Sequence, residues 1–228
     1  MHEIAVVITE QHDDAMRLCE VLAPVEFFLV PRGLLPRHQH VLRVRLDAGF
    51  AEVVDRYLFK QDGLDYLDDR RNRLYVFDVE DRAATLLTPG PYDSDEPAWS
   101  PDSELIAFSS KREGDPDRHV NSDIFVIEAR AGAEPRQVTT WEGQDSSPVF
   151  SPDGETIAYL QGGPLKYAWY DPAQVATVPV RGGEPRLVAA SLDRNVYSPR
   201  WSANGRTIYF LVADDRIQTV SSVPAMQG

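Results

Sequence analysis

The chain repeats itself with a fixed period, and that period constrains its fold more than any other feature. Pro97-Ala98-Trp99-Ser100-Pro101-Asp102-Ser103-Glu104-Leu105-Ile106-Ala107-Phe108 returns as Pro148-Val149-Phe150-Ser151-Pro152-Asp153-Gly154-Glu155-Thr156-Ile157-Ala158-Tyr159, and again from Pro199 to Phe210. The copies begin 51 residues apart, since 148 − 97 and 199 − 148 agree. Each copy reads as a β-hairpin: an aromatic residue near the end of one strand, a four-residue turn, and an Ile-centred apolar return strand. In Ser151-Pro152-Asp153-Gly154 the proline presets φ at the first corner, the carboxylate can accept from nearby backbone N–H groups, and glycine takes a positive φ. Asn204-Gly205 serves the same geometry in the third copy. Ser103 stands where the others have glycine, which implies either a small strain or a different turn type.

The remainder of the period is also strand-like. Asp123-Ile124-Phe125-Val126-Ile127 and Arg136-Gln137-Val138-Thr139 in one repeat are echoed by Ala176-Thr177-Val178-Pro179-Val180 and Arg186-Leu187-Val188 in the next. Four short strands in a repeat of roughly 40 to 50 residues is the sequence form of a β-propeller blade, which buries its faces only by stacking on its neighbours. The predicted fold is therefore all-β, a β-propeller of about four to five blades. A degenerate blade covers about 50–90, where Leu74 to Val79 and Ala84 to Thr88 read as outer strands whose inner hairpin has lost its motif. Blades follow from near 97, 148 and 199. Residues 1–49 fall outside the period and read as a degenerate blade, an edge cap or an N-terminal leader. The last repeat is truncated, because Ile217 to Val223 leaves nothing for a fourth strand. Either the N-terminal residues complete that blade or the ring is incomplete and the polypeptide is a piece of something longer; the second reading is preferred.

Bulk properties exclude several classes. A formal charge of −13 from 36 acidic and 23 basic residues argues against a nucleic-acid surface, which needs clustered Lys and Arg. Cys19 is alone, so no internal disulfide or multi-cysteine metal site is expected, and a reducing, cytoplasmic location is the default. No basic n-region with an apolar stretch opens the chain, and no run approaches ~18 consecutive apolar residues, so no membrane span is expected.

Further residues carry a resemblance. Asp62-Gly63-Leu64-Asp65-Tyr66-Leu67-Asp68-Asp69-Arg70-Arg71-Asn72-Arg73-Leu74-Tyr75-Val76, Gly90-Pro91-Tyr92-Asp93-Ser94-Asp95-Glu96-Pro97-Ala98-Trp99, Ser109-Ser110-Lys111-Arg112, Asp115-Pro116-Asp117-Arg118 and Asn121-Ser122-Asp123 resemble the propeller domain of the prolyl oligopeptidase family of serine peptidases, most of all its acylaminoacyl-peptidase-like branch. The hairpin motif alone resembles TolB-type PD-repeat propellers generally. The resemblance runs from about residue 50 onward. It implies a non-catalytic, substrate-gating propeller, with an α/β-hydrolase catalytic domain in a longer parent chain as partner and short peptides as substrates. The alternative is a stand-alone TolB-like propeller acting as a protein-interaction scaffold. No Gly-x-Ser-x-Gly pentapeptide, the sequence form of a nucleophile elbow, occurs in the chain, so no catalytic residue is assigned and no cofactor is expected.

Candidate interface residues follow from loop length. The turns joining first to second and third to fourth strands are short. The other connections, Lys111 to Ser122, Trp141 to Ser147 and Gln161 to Asp171, are long, and binding residues concentrate on such loops. The candidates for peptide gating are Arg112 and Arg118 on the long loops, Tyr167, Trp169 and Tyr170, which read as a lip beside Lys166 or as a loop-anchoring cluster, and Arg70 and Arg71, whose Asp68-Asp69-Arg70-Arg71 run reads as a self-compensating exposed turn or as facing the central channel. Trp99, Phe150 and Trp201 recur at one phase and are assigned to inter-blade core instead. His38 and His40 lack a third ligand and read as a surface pair. Asp93, Asp95 and Glu96 run into Pro97 and lack a glycine-centred loop, so no metal is assigned to them. An open propeller edge would also invite self-association.

Overall fold

The computed structural model describes residues 3–10, 43–44, 60–61, 65–66, 71–112, 120–168 and 170–225. The described residues form an all-β architecture with one short 3-10 turn, Leu165–Tyr167. Four successive sheets have the form of propeller blades. The first orders β2 (Arg43–Val44), β1 (Glu3–Glu10), β5 (Arg71–Asp78) and β6 (Ala83–Leu86). The second contains β7 (Ser94–Trp99), β8 (Leu105–Ser110), β9 (Asp123–Glu128) and β10 (Arg136–Gln137). The third repeats that order with β11 (Asp145–Phe150), β12 (Thr156–Gln161), β13 (Gln174–Pro179) and β14 (Arg186–Leu187). The fourth has β15 (Val196–Trp201), β16 (Thr207–Asp214) and β17 (Ile217–Pro224). A separate two-stranded ladder joins β3 (Lys60–Gln61) to β4 (Asp65–Tyr66).

The three hairpins are built by one hydrogen-bond device. Ser100 Oγ donates to Asp102 Oδ1 at 2.5 Å and accepts from the Leu105 N–H at 2.9 Å, while the Glu104 N–H donates to Asp102 Oδ1 at 3.0 Å. Ser151, Asp153, Glu155 and Thr156 repeat it, as do Ser202, Asn204, Arg206 and Thr207. These bonds hold the Asp153 carboxyl below its ordinary range, the Ser151 hydroxyl contributing most and the Glu155 N–H next. The fourth turn residue is left-handed in all three copies: Ser103 at φ 65°, Gly154 at 74° and Gly205 at 69°. Ser103 thus keeps the turn type and accepts the strain, because its Cβ crowds the backbone in this region.

A second device recurs one strand earlier. Each first strand shifts register, between Asp95 and Ala98, Ser146 and Val149, and Tyr197 and Arg200. Inside each shift a non-glycine residue precedes proline with positive φ: Glu96 at 53°, Ser147 at 52° and Ser198 at 52°. A bulge of this kind bends the strand and increases its twist, as inner blade strands require.

The blades stack in chain order, β5 on β7, β7 and β8 on β11, and β11 and β12 on β15. The core accordingly lies between sheets. Leu74, Val76 and Leu87 of the first sheet meet Ile106, Phe108, Phe125 and Ile127 of the second. Ala107, Ile124 and Val126 meet Phe150, Ile157 and Tyr159 of the third, and Ala158, Leu160 and Val175 meet Val196, Ile208 and Phe210 of the fourth. Each fully buried large side chain contributes about 1.5–3 kcal/mol, so a single blade cannot hold its fold alone. Phe150 is buried, Trp99 and Trp201 pack against these clusters, and the Trp201 indole donates to the Val149 carbonyl at 3.1 Å across the blade boundary. That is the inter-blade role expected of the recurring aromatics.

Two features differ from a simple tandem array. In the first sheet, β1 runs antiparallel beside β5, the position that β8 holds beside β9, and β2 pairs with β1 in parallel. In the fourth sheet the connection between second and third strands is a tight turn at Asp215 (φ 34°) and Arg216 (φ 73°) in place of a long loop. Among the described residues β17 has β16 on one side and no strand on the other, and Tyr209, Ile217 and Val220 of this sheet are exposed.

Candidate functional site

Antiparallel order places the second-to-third and fourth-to-first connections on one rim, opposite the Ser-Pro-Asp turns. On this rim lie 87–93, Lys111 and Arg112, 120–122, 138–144, 162–168, 170–173 and 188–195. These segments are bound to each other. The Trp141 indole donates to the Gly162 carbonyl at 2.9 Å, the Gly162 N–H to the Gln144 carbonyl at 2.7 Å, and the Asp145 N–H to the Ser122 carbonyl at 2.7 Å. Glycine is required where they cross: a Cβ on Gly143 would stand 2.2 Å from the Gly163 carbonyl oxygen, and one on Gly163 would stand 2.3 Å from the Asp171 Cβ.

Aromatic side chains project from this rim. Tyr170 is 85% exposed, Tyr167 and Trp141 are exposed in part, and Lys166 Nζ sits 5.1 Å from the Tyr167 ring centroid. An aromatic body with a polar tip on a stitched loop can stack on a peptide or on a packed partner at low entropic cost. Tyr167 and Tyr170 are brought together by one tight turn, since the Tyr170 N–H donates to the Tyr167 carbonyl at 2.8 Å. Trp169 lies outside the described residues, as do Arg70, Arg118, His38 and His40.

The two remaining arginine candidates differ from each other. Arg71 is held within the fold: its Nε donates to the Pro91 carbonyl at 2.8 Å, Asp93 lies 3.8 Å away, and only 13% of the side chain is exposed. Arg112 caps the junction of the first two sheets. Its guanidinium carbon stands 5.3 Å from the Tyr92 ring centroid, 5.6 Å from Phe108 and 5.2 Å from Phe125. Burial lowers its pKa, against the opposing charges of Tyr92 and Glu134. Asp93, Asp95 and Glu96 are engaged between blades: Asp93 and Asp95 accept from Asn72 at 2.8 and 2.7 Å, and Glu96 accepts from Ser147.

One group on this rim is unforeseen from sequence. Asp145, at the repeat position of Ser94, is fully buried, and neither carboxylate oxygen has a well-formed hydrogen bond. Burial pushes its pKa up to about 7; the Thr139 hydroxyl pulls it down, the Asp123 charge adds to the rise and Gln161 opposes it. Asp123, by contrast, accepts from Gln137 Nε2 at 2.8 Å. The acid and amide pattern Asp123, Asp145, Gln161 is visible in the sequence, but only stacking of the second and third sheets buries it.

Among the described residues no group of three or more His, Cys, Asp and Glu could hold a metal, and no helix is long and apolar enough to cross a membrane.

No family model matches the chain. Over 137 residues it is 31% identical to the proteins named dipeptidyl-peptidase 5 from Trichophyton schoenleinii and Arthroderma benhamiae, covering 55% of this chain and 19% of each relative. The match therefore spans about a fifth of the length of these curated relatives. Among solved structures, the chain is similar to the Pyrococcus horikoshii acylaminoacyl peptidase, with a TM-score of 0.55 and 19% identity over 78% of this chain and 27% of that one. It is also similar to a putative TolB from Agrobacterium tumefaciens, with a TM-score of 0.53 and 20% identity over 70% and 55% of the two chains. The structural likenesses show the propeller fold, and the sequence match is to part of proteins named dipeptidyl-peptidase 5.

Proposed function

We propose that this chain is the substrate-gating propeller of a serine peptidase of the prolyl oligopeptidase family, in its acylaminoacyl-peptidase-like branch. The observation that carries this reading is the 31% identity to dipeptidyl-peptidase 5 on a chain of propeller fold. On this reading an α/β-hydrolase domain of a longer parent chain supplies the nucleophile, and the present chain, which contains no Gly-x-Ser-x-Gly sequence, supplies none. The propeller's contribution is selection by size and chemistry. The rim carrying Arg112, Trp141, Tyr167 and Tyr170 admits short or unstructured peptides and excludes folded chains.

The test is a ladder of fluorescent peptides, from dipeptide to decapeptide, titrated into the folded chain beside a labelled globular protein. Selective binding of the short members supports the gating role. Binding of the folded protein but of no peptide would instead support an interaction scaffold of the TolB kind.

A further inference from the structure

We propose that Arg112 is the carboxylate-binding residue of this rim, receiving a peptide's carboxylate at the edge of a guanidinium whose faces are already covered. This rests on the peptide-gating reading and assigns its substrate chemistry. The rings of Phe108 and Phe125 lie 5.6 and 5.2 Å from the guanidinium carbon, and Tyr92 lies at 5.3 Å. They fix the plane of the group. Its N–H edge is poorly used: Nε is buried without a hydrogen-bond partner, and Nη2 reaches only Ser94 Oγ, at 3.5 Å.

Three other arginines are ion-paired, while Arg136 and Arg200 donate to backbone carbonyls. Arg71 has Asp93 and the Pro91 carbonyl, Arg130 has Glu128, and Arg194 has Asp214. In a chain with 36 acidic residues, Arg112 makes no ion pair or hydrogen bond with a carboxylate among the described residues, and Glu134 acts on it through charge alone. With Nε enclosed, the two Nη groups form the fork left to a bidentate carboxylate, while the rings keep the faces. The net charge of −13 disfavours polyanions, so a singly charged peptide carboxylate fits better than a nucleic acid or polyphosphate.

The experiment has two readouts on the full chain. In the first, a pentapeptide with a free C-terminus, its C-terminal amide, and an amide carrying one Glu are titrated into wild type, Arg112→Lys and Arg112→Gln, with folding checked by circular dichroism. The free acid binds about tenfold tighter than the plain amide in wild type, and Arg112→Gln abolishes that difference. Arg112→Lys, which keeps the charge but not the fork, retains only part of it. If the Glu-bearing amide equals the free acid, the site reads any peptide carboxylate; if it equals the plain amide, it reads the terminus. In the second readout, acetate alone is titrated against the Arg112 Nε–H resonance, with chloride as control. A saturable shift with acetate only is expected, whether or not peptides bind. Equal affinity for free acid and amide would overturn the proposal while leaving gating intact. No peptide binding with a saturable acetate shift would overturn gating alone, and an unmoved resonance would overturn the carboxylate site.

Discussion

The Glu96 carboxylate ties one blade to the next: Oε2 accepts the Ser147 backbone N–H at 2.6 Å, and Oε1 accepts the Ser147 hydroxyl at 3.1 Å. The two residues occupy the same position of successive repeats, each in the left-handed bulge before a proline. The bulge therefore does two things, bending its own strand and presenting an N–H to the preceding blade. Replacing Glu96 by Ala leaves that N–H to solvent and lowers stability by about 1 kcal/mol, because the site is exposed and water substitutes in part. Urea unfolding of Glu96→Ala, Ser147→Ala and the double variant checks this. The hydroxyl's share appears as coupling between the two substitutions.

Ser103 is predicted to be a stability defect in an otherwise repeated turn. Its φ of 65° matches Gly154 and Gly205, but serine carries a Cβ that this region disfavours. Ser103→Gly should raise stability by about 0.5–1 kcal/mol and Gly154→Ser should lower it similarly. A Cβ on Gly154 would meet nothing nearer than Pro101 Cδ at 3.5 Å, so the converse effect is conformational and not steric. Thermal midpoints of the two variants measure both signs.

Three hairpins and two full blades were legible because their turns are written by local residues: Ser, Pro, Asp and Gly at fixed offsets hold their own hydrogen bonds. The first sheet was legible only in its outer strands, β5 and β6. Val7 pairs with Leu74 and with Arg43, contacts remote in sequence and lacking turn chemistry between them. The aromatic phase of Trp99, Phe150 and Trp201 announced inter-blade packing correctly, since a repeated large residue needs a repeated cavity. Asp145 gave no such warning, because Ser94, Asp145 and Val196 share one repeat position with three different chemistries. The rim loops could be placed by length, but the Asp215-Arg216 turn breaks that rule in the last sheet, where β16 and β17 pair to their ends.

Asp145 should make stability depend on pH. Its folded-state pKa, about 7, lies above the unfolded value of 3.8, so the folded chain holds a proton that the unfolded chain has released. Below the lower value both states are protonated and the residue contributes no pH dependence. As pH rises from about 4 to about 7 stability falls, by up to about 4 kcal/mol, and above that it levels off. Thermal midpoints of wild type and Asp145→Asn between pH 4.5 and 8 test this. The wild type should fall more steeply, and parallel curves would show that the carboxyl is not the source.

Gly143→Ala should damage the rim without unfolding the blades. The added Cβ would lie 2.2 Å from the Gly163 carbonyl oxygen, so one of the two loops must move. A cost of about 1–3 kcal/mol is expected, together with loss of the Trp141 to Gly162 hydrogen bond. Trp141 fluorescence should shift to the red, while the circular dichroism of the strands stays unchanged.

Hydrogen–deuterium exchange of the chain with and without a bound short peptide tests the central claim most directly. The account predicts protection in 111–112, 120–122, 138–144, 162–168 and 170–173, on the rim that carries Arg112, Trp141, Tyr167 and Tyr170. Protection at the opposite turns, 100–104, 151–155 and 202–206, or along β17 alone, would contradict it.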